Sequence, residues 1–279
     1  YQTSMSTQFD FSPAISEAFR SLQTPANNSH KGENGKMIFI GGSELFHAPA
    51  RWSLHSASRF VDMLFYSSVP QTEALLQIAK QEFWDGIVVP PGKLTDYIAE
   101  ADVALIGPGM ERTEDTKDIT NELLKQFPNK KWVVDAGALQ MVNPDLLTDS
   151  MIITPHAKEL ERLAGHMQLG PEDAIKALAE RGVTVLVKGE VDAVYVGSEQ
   201  IDIPGGNPGM TKGGTGDVLA GMLAGLYTTN DAKVASIVAS FVNKRAGEDL
   251  AKTRATFFNA SDLVEQVPLT FSSILEQIF

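Results

Sequence analysis

The segment NPGMTKGGTGDVLAG, residues 207–221, carries the residue types best suited to chemistry in this chain. Gly213, Gly214 and Gly216 lack the Cβ atoms that would hold an anion off the backbone, and a helical pattern follows at once. The N–H groups of a helix start, with about half a positive charge behind them, suit a phosphate or the charge that develops in phosphoryl transfer. Asp217 sets a carboxylate at the edge of that site, where it repels an anion unless it has a task. Beside a substrate hydroxyl it would accept the proton as the oxygen attacks phosphorus. A simpler reading makes Thr215 and Asp217 helix caps, and the short GxGD pattern leaves both readings open. There is no GxxxxGK[ST] loop and no GxGxxG after a strand, and Lys36 precedes a strand without a Walker pattern.

Such a turn needs a rigid frame. Short apolar runs recur as MIFI (37–40), MLFY (63–66), GIVV (86–89), VALI (103–106), WVVD (132–135), MIIT (151–154) and VTVLV (183–187), separated by longer helical patterns. The alternation predicts an α/β fold with a mostly parallel sheet and crossover helices. The runs are continuous rather than alternating, as strands covered on both faces should be. Helices are predicted over 71–82, 115–127, 158–164 and 171–181, with Thr154 as a cap and Pro155 in a first helical position. A hairpin, DAVYV and QIDI around Gly197 and Ser198, then leads into the glycine turn, and helical periodicity dominates 218–226 and 231–251. Residues 11–22 read as a short amphipathic helix ahead of a polar linker. The expected division is therefore an N-terminal helix and flexible linker at 1–35 and one domain at 36–279.

The 279 residues suffice for one large α/β domain with a sizeable core. With 35 acidic against 23 basic residues, the net charge of −12 disfavours nucleic acid and anionic membrane as partners. The absence of cysteine excludes disulfides, thiolate chemistry and cysteine-based metal sites. No window reaches the roughly 18–20 apolar residues that span a bilayer, and no signal pattern opens the chain, so the expected location is the cytoplasm.

The motifs IGPGM (106–110), VVDAGAL (133–139), ITPHAKELERL (153–163), VLVKGE (185–190) and the glycine turn occur in the order found in a known family. The chain resembles the ADP/ATP-dependent NAD(P)H-hydrate dehydratases, which have the ribokinase-like fold with helices on both faces of the sheet. The resemblance covers about residues 36–250 and does not extend to the epimerase domain that some members carry. It implies repair of hydrated NADH or NADPH (NADHX, NADPHX), with ADP or ATP as phosphoryl donor, Mg2+ bridging the phosphates, and a homo-oligomer such as a tetramer. By the same resemblance Asp217 is the base. Lys188, Gly189, Glu190, Val191, Asp192, Gly213, Gly214, Thr215 and Gly216 lie along the nucleotide, and Ala48, Ala50, Gly109, His156, Asn207 and Asp217 border the hydrate. The alternative is a kinase of the same fold acting on a vitamin precursor of the hydroxymethylpyrimidine or hydroxyethylthiazole type.

Each of these residues also has a plainer reading. His156 and Glu159 suit a helix start, Lys188 a surface position, Gly109 a turn after Pro108, and Asp135 either a turn or the ligand end of a parallel strand. The chain departs from the family's pattern at four places, one of them ASRFVDMLF (57–65), which lacks the small, glycine-rich pattern typical there. Lys212 replaces a small or hydroxyl residue and is expected either to touch phosphate or to crowd the site. Gly137 replaces an acid, and the loop over 41–52 reads Ala48, Pro49, Ala50 where glycine, alanine, proline is usual.

Overall fold

The computed structural model describes residues 9–68, 77 and 80–279. Nine strands form one sheet: β1 (Lys36–Ile40), β2 (Met63–Ser67), β3 (Ile87–Val88), β4 (Val103–Ile106), β5 (Lys131–Val134), β6 (Met151–Ile153), β7 (Thr184–Val187), β8 (Asp192–Val196) and β9 (Glu199–Ile203). Their order is β3-β2-β1-β4-β5-β6-β7-β8-β9. Pairing is parallel from β3 through β7 and antiparallel for the β7–β8 and β8–β9 pairs. The seven apolar runs read from the sequence are the seven parallel strands, and the expected hairpin is β8 and β9.

Both faces are covered. Met37 and Phe39 of β1 point into a core shared with α1 (Pro13–Ser21), α2 (Ala48–Ala57), α8 (Thr215–Tyr227), α9 (Ala232–Arg254) and α10 (Ala260–Ile278). Ile38 and Ile40 point the other way, toward α3 (Leu94–Glu100), α4 (Glu114–Gln126), α5 (Ala136–Met141), α6 (Ala157–His166) and α7 (Pro171–Glu180). The helix ahead of the linker belongs to the first of these cores, where Ile15 and Phe19 are fully buried and Phe19 meets Phe241 of α9 edge-on at 5.7 Å.

The helix expected over 71–82 lies largely outside the described residues. The helix expected from Pro155 begins two residues later, at Ala157, and its cap is His156 rather than Thr154. The cause is a continuation of sheet pairing: the Lys188 N–H donates to the Pro155 carbonyl at 2.8 Å, and His156 bridges Lys188, so the chain stays extended through His156.

The strand order reverses between β1, which is followed by β2 and β3 on one side, and β4, which opens the other side. The loops leaving the carboxyl ends of β1 and β4 meet there, the Gly42 N–H donating to the Pro108 carbonyl at 2.8 Å, and border a crevice at the usual ligand position of an open α/β sheet.

Candidate active site

The glycine turn enters α8 through Gly214, whose φ of 99° is left-handed. A Cβ at Gly214 would lie 2.4 Å from the Trp52 ring, so glycine is required there for space as well as for conformation. The Thr215 hydroxyl donates to the Met210 carbonyl at 2.7 Å and lies 3.0 Å from that of Lys212, which locks the turn without capping the helix. Asp217 makes no side-chain hydrogen bond to a described residue, and α8 has no side-chain cap. The first-turn N–H groups therefore stay open to an anion.

Asp217 sits in the first turn of α8. Burial, with Asp135 and Glu159 adding negative charge, raises its pKa to about 7 although Lys188 pulls the other way. A carboxylate poised there can take up a proton near neutrality. Lys188, at the end of β7, holds its Nζ 2.8 Å from Asp135 Oδ1 and 3.8 Å from Glu159 Oε2. Burial works against the Lys188 ammonium, but Asp135, Glu159 and Asp217 outweigh it and keep its pKa above the ordinary lysine value. A Cβ on Gly216 would lie 3.7 Å from Lys188 Nζ, so this cation also adjoins the anion turn.

A cavity of about 730 Å³ opens over Asp217, in the crevice where the strand order reverses. It is lined by Leu45, Phe46 and Pro49 from the β1 side, Gly109 to Thr113 from the β4 side, and Gln140, His156 and Glu159 beyond them. Of the residues expected to border the hydrate, Gly109, His156 and Asp217 are thus gathered round one space. Ala50 is buried at 5% exposure, and the wall is formed by its neighbour Pro49. Asn207 accepts a hydrogen bond from the Gly209 N–H at 2.9 Å and shapes the approach to the turn. His156 caps α6, its Nδ1 accepting from the Lys158 and Glu159 N–H groups at 3.2 and 3.4 Å, while Glu159 accepts from the His156 N–H at 3.0 Å. His156 thus caps α6 and lines the cavity at once.

The loop over 188–192, expected to lie along a nucleotide, is folded by Asp192, which accepts from the Gly189 N–H at 2.9 Å and from Ser240 at 2.7 Å. Lys244 of α9 donates to the carbonyls of Gly189, Glu190 and Gly205 at 3.0, 2.9 and 3.2 Å and pairs with Asp192 at 3.2 Å. Gly189, Glu190 and Val191 are left exposed. Lys212 neither touches nor crowds the turn's open side: its ammonium bonds the Thr256 carbonyl and lies 5.3 Å from the centre of the Phe258 ring. Gly137 has a steric reason, since a Cβ there would come 2.1 Å from the Met110 carbonyl.

Among the described residues no three His, Asp or Glu side chains gather as a metal cage. Asp135 and Glu159 offer hard oxygen donors beside Lys188, which fits Mg2+ held mainly by phosphates, with carboxylates as secondary partners.

Residues 37–269 match the family profile described as NAD(P)H-hydrate dehydratase. This chain belongs to that family. An ADP-dependent (S)-NAD(P)H-hydrate dehydratase of Cenarchaeum symbiosum is 32% identical over 257 residues, covering 86% of this chain and 90% of its own. A bifunctional NAD(P)H-hydrate repair enzyme of Methanocaldococcus jannaschii is 30% identical over 262 residues, 89% of this chain and 50% of its own length. The chain thus spans about half the length of such bifunctional relatives. In fold it is similar to a ribokinase-like protein of Enterococcus faecalis, with a TM-score of 0.79 at 22% identity over 98% of this chain and 99% of that one. It is also similar to the Bacillus subtilis ADP/ATP-dependent NAD(P)H-hydrate dehydratase co-crystallised with ATP and Mg2+, with a TM-score of 0.77 at 22% identity over 92% and 96%. The sheet and its two helical layers are those of the ribokinase-like fold.

Within this family frame, several residues that shape the site escape a motif search. The Ser53 and Ser56 hydroxyls donate to the Asp217 and Val218 carbonyls, each at 2.9 Å, and so fasten α2 to the first turn of α8. A Cβ at Gly221 would sit 2.2 Å from the Ser53 carbonyl. The available signal was the matched small residues, Ser53, Ser56 and Ala57 against Gly221 and Gly225, on two helices in close contact. Ala136, next to Asp135, takes a φ of 47°, a strained non-glycine conformation at the cavity wall that sequence does not announce.

Proposed function

We propose that this chain dehydrates hydrated NADH or NADPH at the expense of ADP or ATP, a repair reaction that restores the reduced nicotinamide. The reading rests above all on Asp217, a carboxylate with its pKa raised to about 7, set between an uncapped glycine turn and a roomy cavity. The hydrate's ring hydroxyl would lie against Asp217, which takes its proton as the oxygen attacks the terminal phosphorus of the nucleotide. The first-turn N–H groups of α8 and the Lys188 ammonium balance the charge gathering on the transferring phosphoryl group. Mg2+, when bound, supplies further neutralisation of the phosphates.

Hydroxide is a poor leaving group and phosphate a good one. Once the ring carbon carries phosphate, the lone pair of the ring nitrogen drives cleavage of the C–O bond. Loss of a proton from the adjacent ring carbon then restores the double bond. His156 and Gly109 border the hydrate in this reading, and residues 188–192 and 213–216 flank the donor. We also take the protein to act in the cytoplasm, as its composition suggests, and as a homo-oligomer, as the resemblance implies.

The test is to incubate the purified protein with hydrated NADH, Mg2+ and ADP or ATP and to follow the absorbance of reduced nicotinamide. Its return supports the reading. No return with either nucleotide, together with phosphorylation of a hydroxymethylpyrimidine or hydroxyethylthiazole, would replace it with the kinase.

A further inference from the structure

The cavity is electrically divided. Its floor holds Asp217 and Glu159, while its outer wall carries Arg112 from the loop after β4 together with Lys158 and Arg162 from α6. Lys158 and Arg162 are four residues apart, so they share one face of that helix. Glu111 lies on the same wall. Among the described residues none of the three cations has a carboxylate within ion-pair distance, although eleven other lysine or arginine pairs form. In a chain with 35 acidic residues against 23 basic ones, unpaired cations along one cavity wall are a local reversal of the overall field. Across the opening stand Leu45 and Phe46, 67% and 48% exposed, which offer apolar surface to a ring or a ribose.

We propose that Arg112 and Arg162, with Lys158 beside them, form the subsite for the pyrophosphate of a dinucleotide whose reacting ring lies against Asp217. The inference rests on the dehydratase reading, which places a ring hydroxyl at the cavity floor. A dinucleotide anchored there carries its two negative phosphates outward, past the first ribose, toward the wall that holds the cations. Guanidinium groups present planar pairs of N–H donors that match phosphate oxygens, and these arginines need break no ion pair with a described residue to do so. The donor nucleotide is served from elsewhere, because residues 188–192 and 213–216 are not part of this cavity's lining. The wall therefore selects for the dinucleotide and not for the phosphoryl donor.

The test compares the wild type with Arg112→Ala, Arg162→Ala, the double variant and the two Arg→Lys variants. The KM for hydrated NADH is expected to rise about fivefold or more in each alanine variant and further in the double one, with partial recovery in the lysine variants. The KM for the donor nucleotide should stay at its wild-type value. Binding of NADH, followed by its own fluorescence, should weaken in parallel, and inorganic pyrophosphate should compete with NADH in the wild type far better than in the double variant. Wild-type KM and NADH affinity in the double variant would overturn the proposal, as would a change confined to the donor nucleotide. If the wild type lacks dehydratase turnover, the proposed function fails separately, and NADH binding still decides the subsite: no binding, or equal binding by wild type and double variant, overturns it.

Discussion

Lys188 and Asp135 form a 2.8 Å ion pair with side chains only 18% and 2% exposed, and that pair sets the field felt by Asp217. Asp135 raises the Asp217 pKa and Lys188 lowers it. A general base works deprotonated, so kcat/KM should climb with pH through a value of about 7. Asp135→Asn removes a negative neighbour and frees the ammonium, and both effects favour the Asp217 carboxylate. The acid limb of the profile is expected to move to lower pH. A limb that stays in place would mean Asp135 does not tune the base.

Asp217 also carries a stability signature. Its folded pKa is about 7 against an ordinary 3.8, so the native state holds this proton more tightly than the unfolded chain does. On this group's account, folding stability is fullest below the lower value and falls as pH rises between the two. Asp217→Asn removes that loss. The variant should melt above the wild type at pH 8 and show little difference at pH 4, as read by calorimetry.

Gly214 is the most constrained position of the turn, with φ 99° and only 2.4 Å from an added Cβ to the Trp52 ring. Gly214→Ala is expected to cost about 2 kcal/mol or more and to weaken nucleotide binding together with stability. Denaturant melts followed by tryptophan fluorescence test the first effect, and calorimetric titration with ADP tests the second. A neutral substitution would show that the turn is not held as described.

Lys244 joins the loop over 188–192 to the Gly205 carbonyl and is itself nearly buried, its side chain 7% exposed. Lys244→Met leaves Asp192 buried without its cation, at a cost of about 3 kcal/mol. The KM for the nucleotide should rise more than the KM for the hydrate. Adding Asp192→Asn should recover part of the stability, which a generic packing defect would not allow.

Much of this architecture is legible in sequence because its strongest signals are physical necessities. Strands buried on both faces must be apolar throughout, which exposed β1, β4, β5 and β7. The glycine turn announced itself because only glycine tolerates the approach required at Gly214. The helices at 48–57, 94–100, 136–141 and 260–278 were not legible. α10 runs through Pro268, which reads locally as a break, and α5 has only six residues and is stabilised by its surroundings. Long-range pairing was equally hidden: Lys188 and Asp135 are 53 residues apart, and only the sheet order brings the ends of β5 and β7 to the same carboxylate cluster. Lys212 misled for a related reason, since its partner at Thr256 lies beyond α9, far along the chain.

The proposed chemistry turns on Asp217 acting as the base. The most direct measurement is the turnover of hydrated NADH by Asp217→Asn beside the wild type, with Mg2+ and ADP or ATP, and with nucleotide affinity measured on the same samples. The amide keeps the shape but cannot accept the proton, so turnover should fall by about a hundredfold or more while nucleotide binding persists. Wild-type turnover in Asp217→Asn would exclude Asp217 as the base.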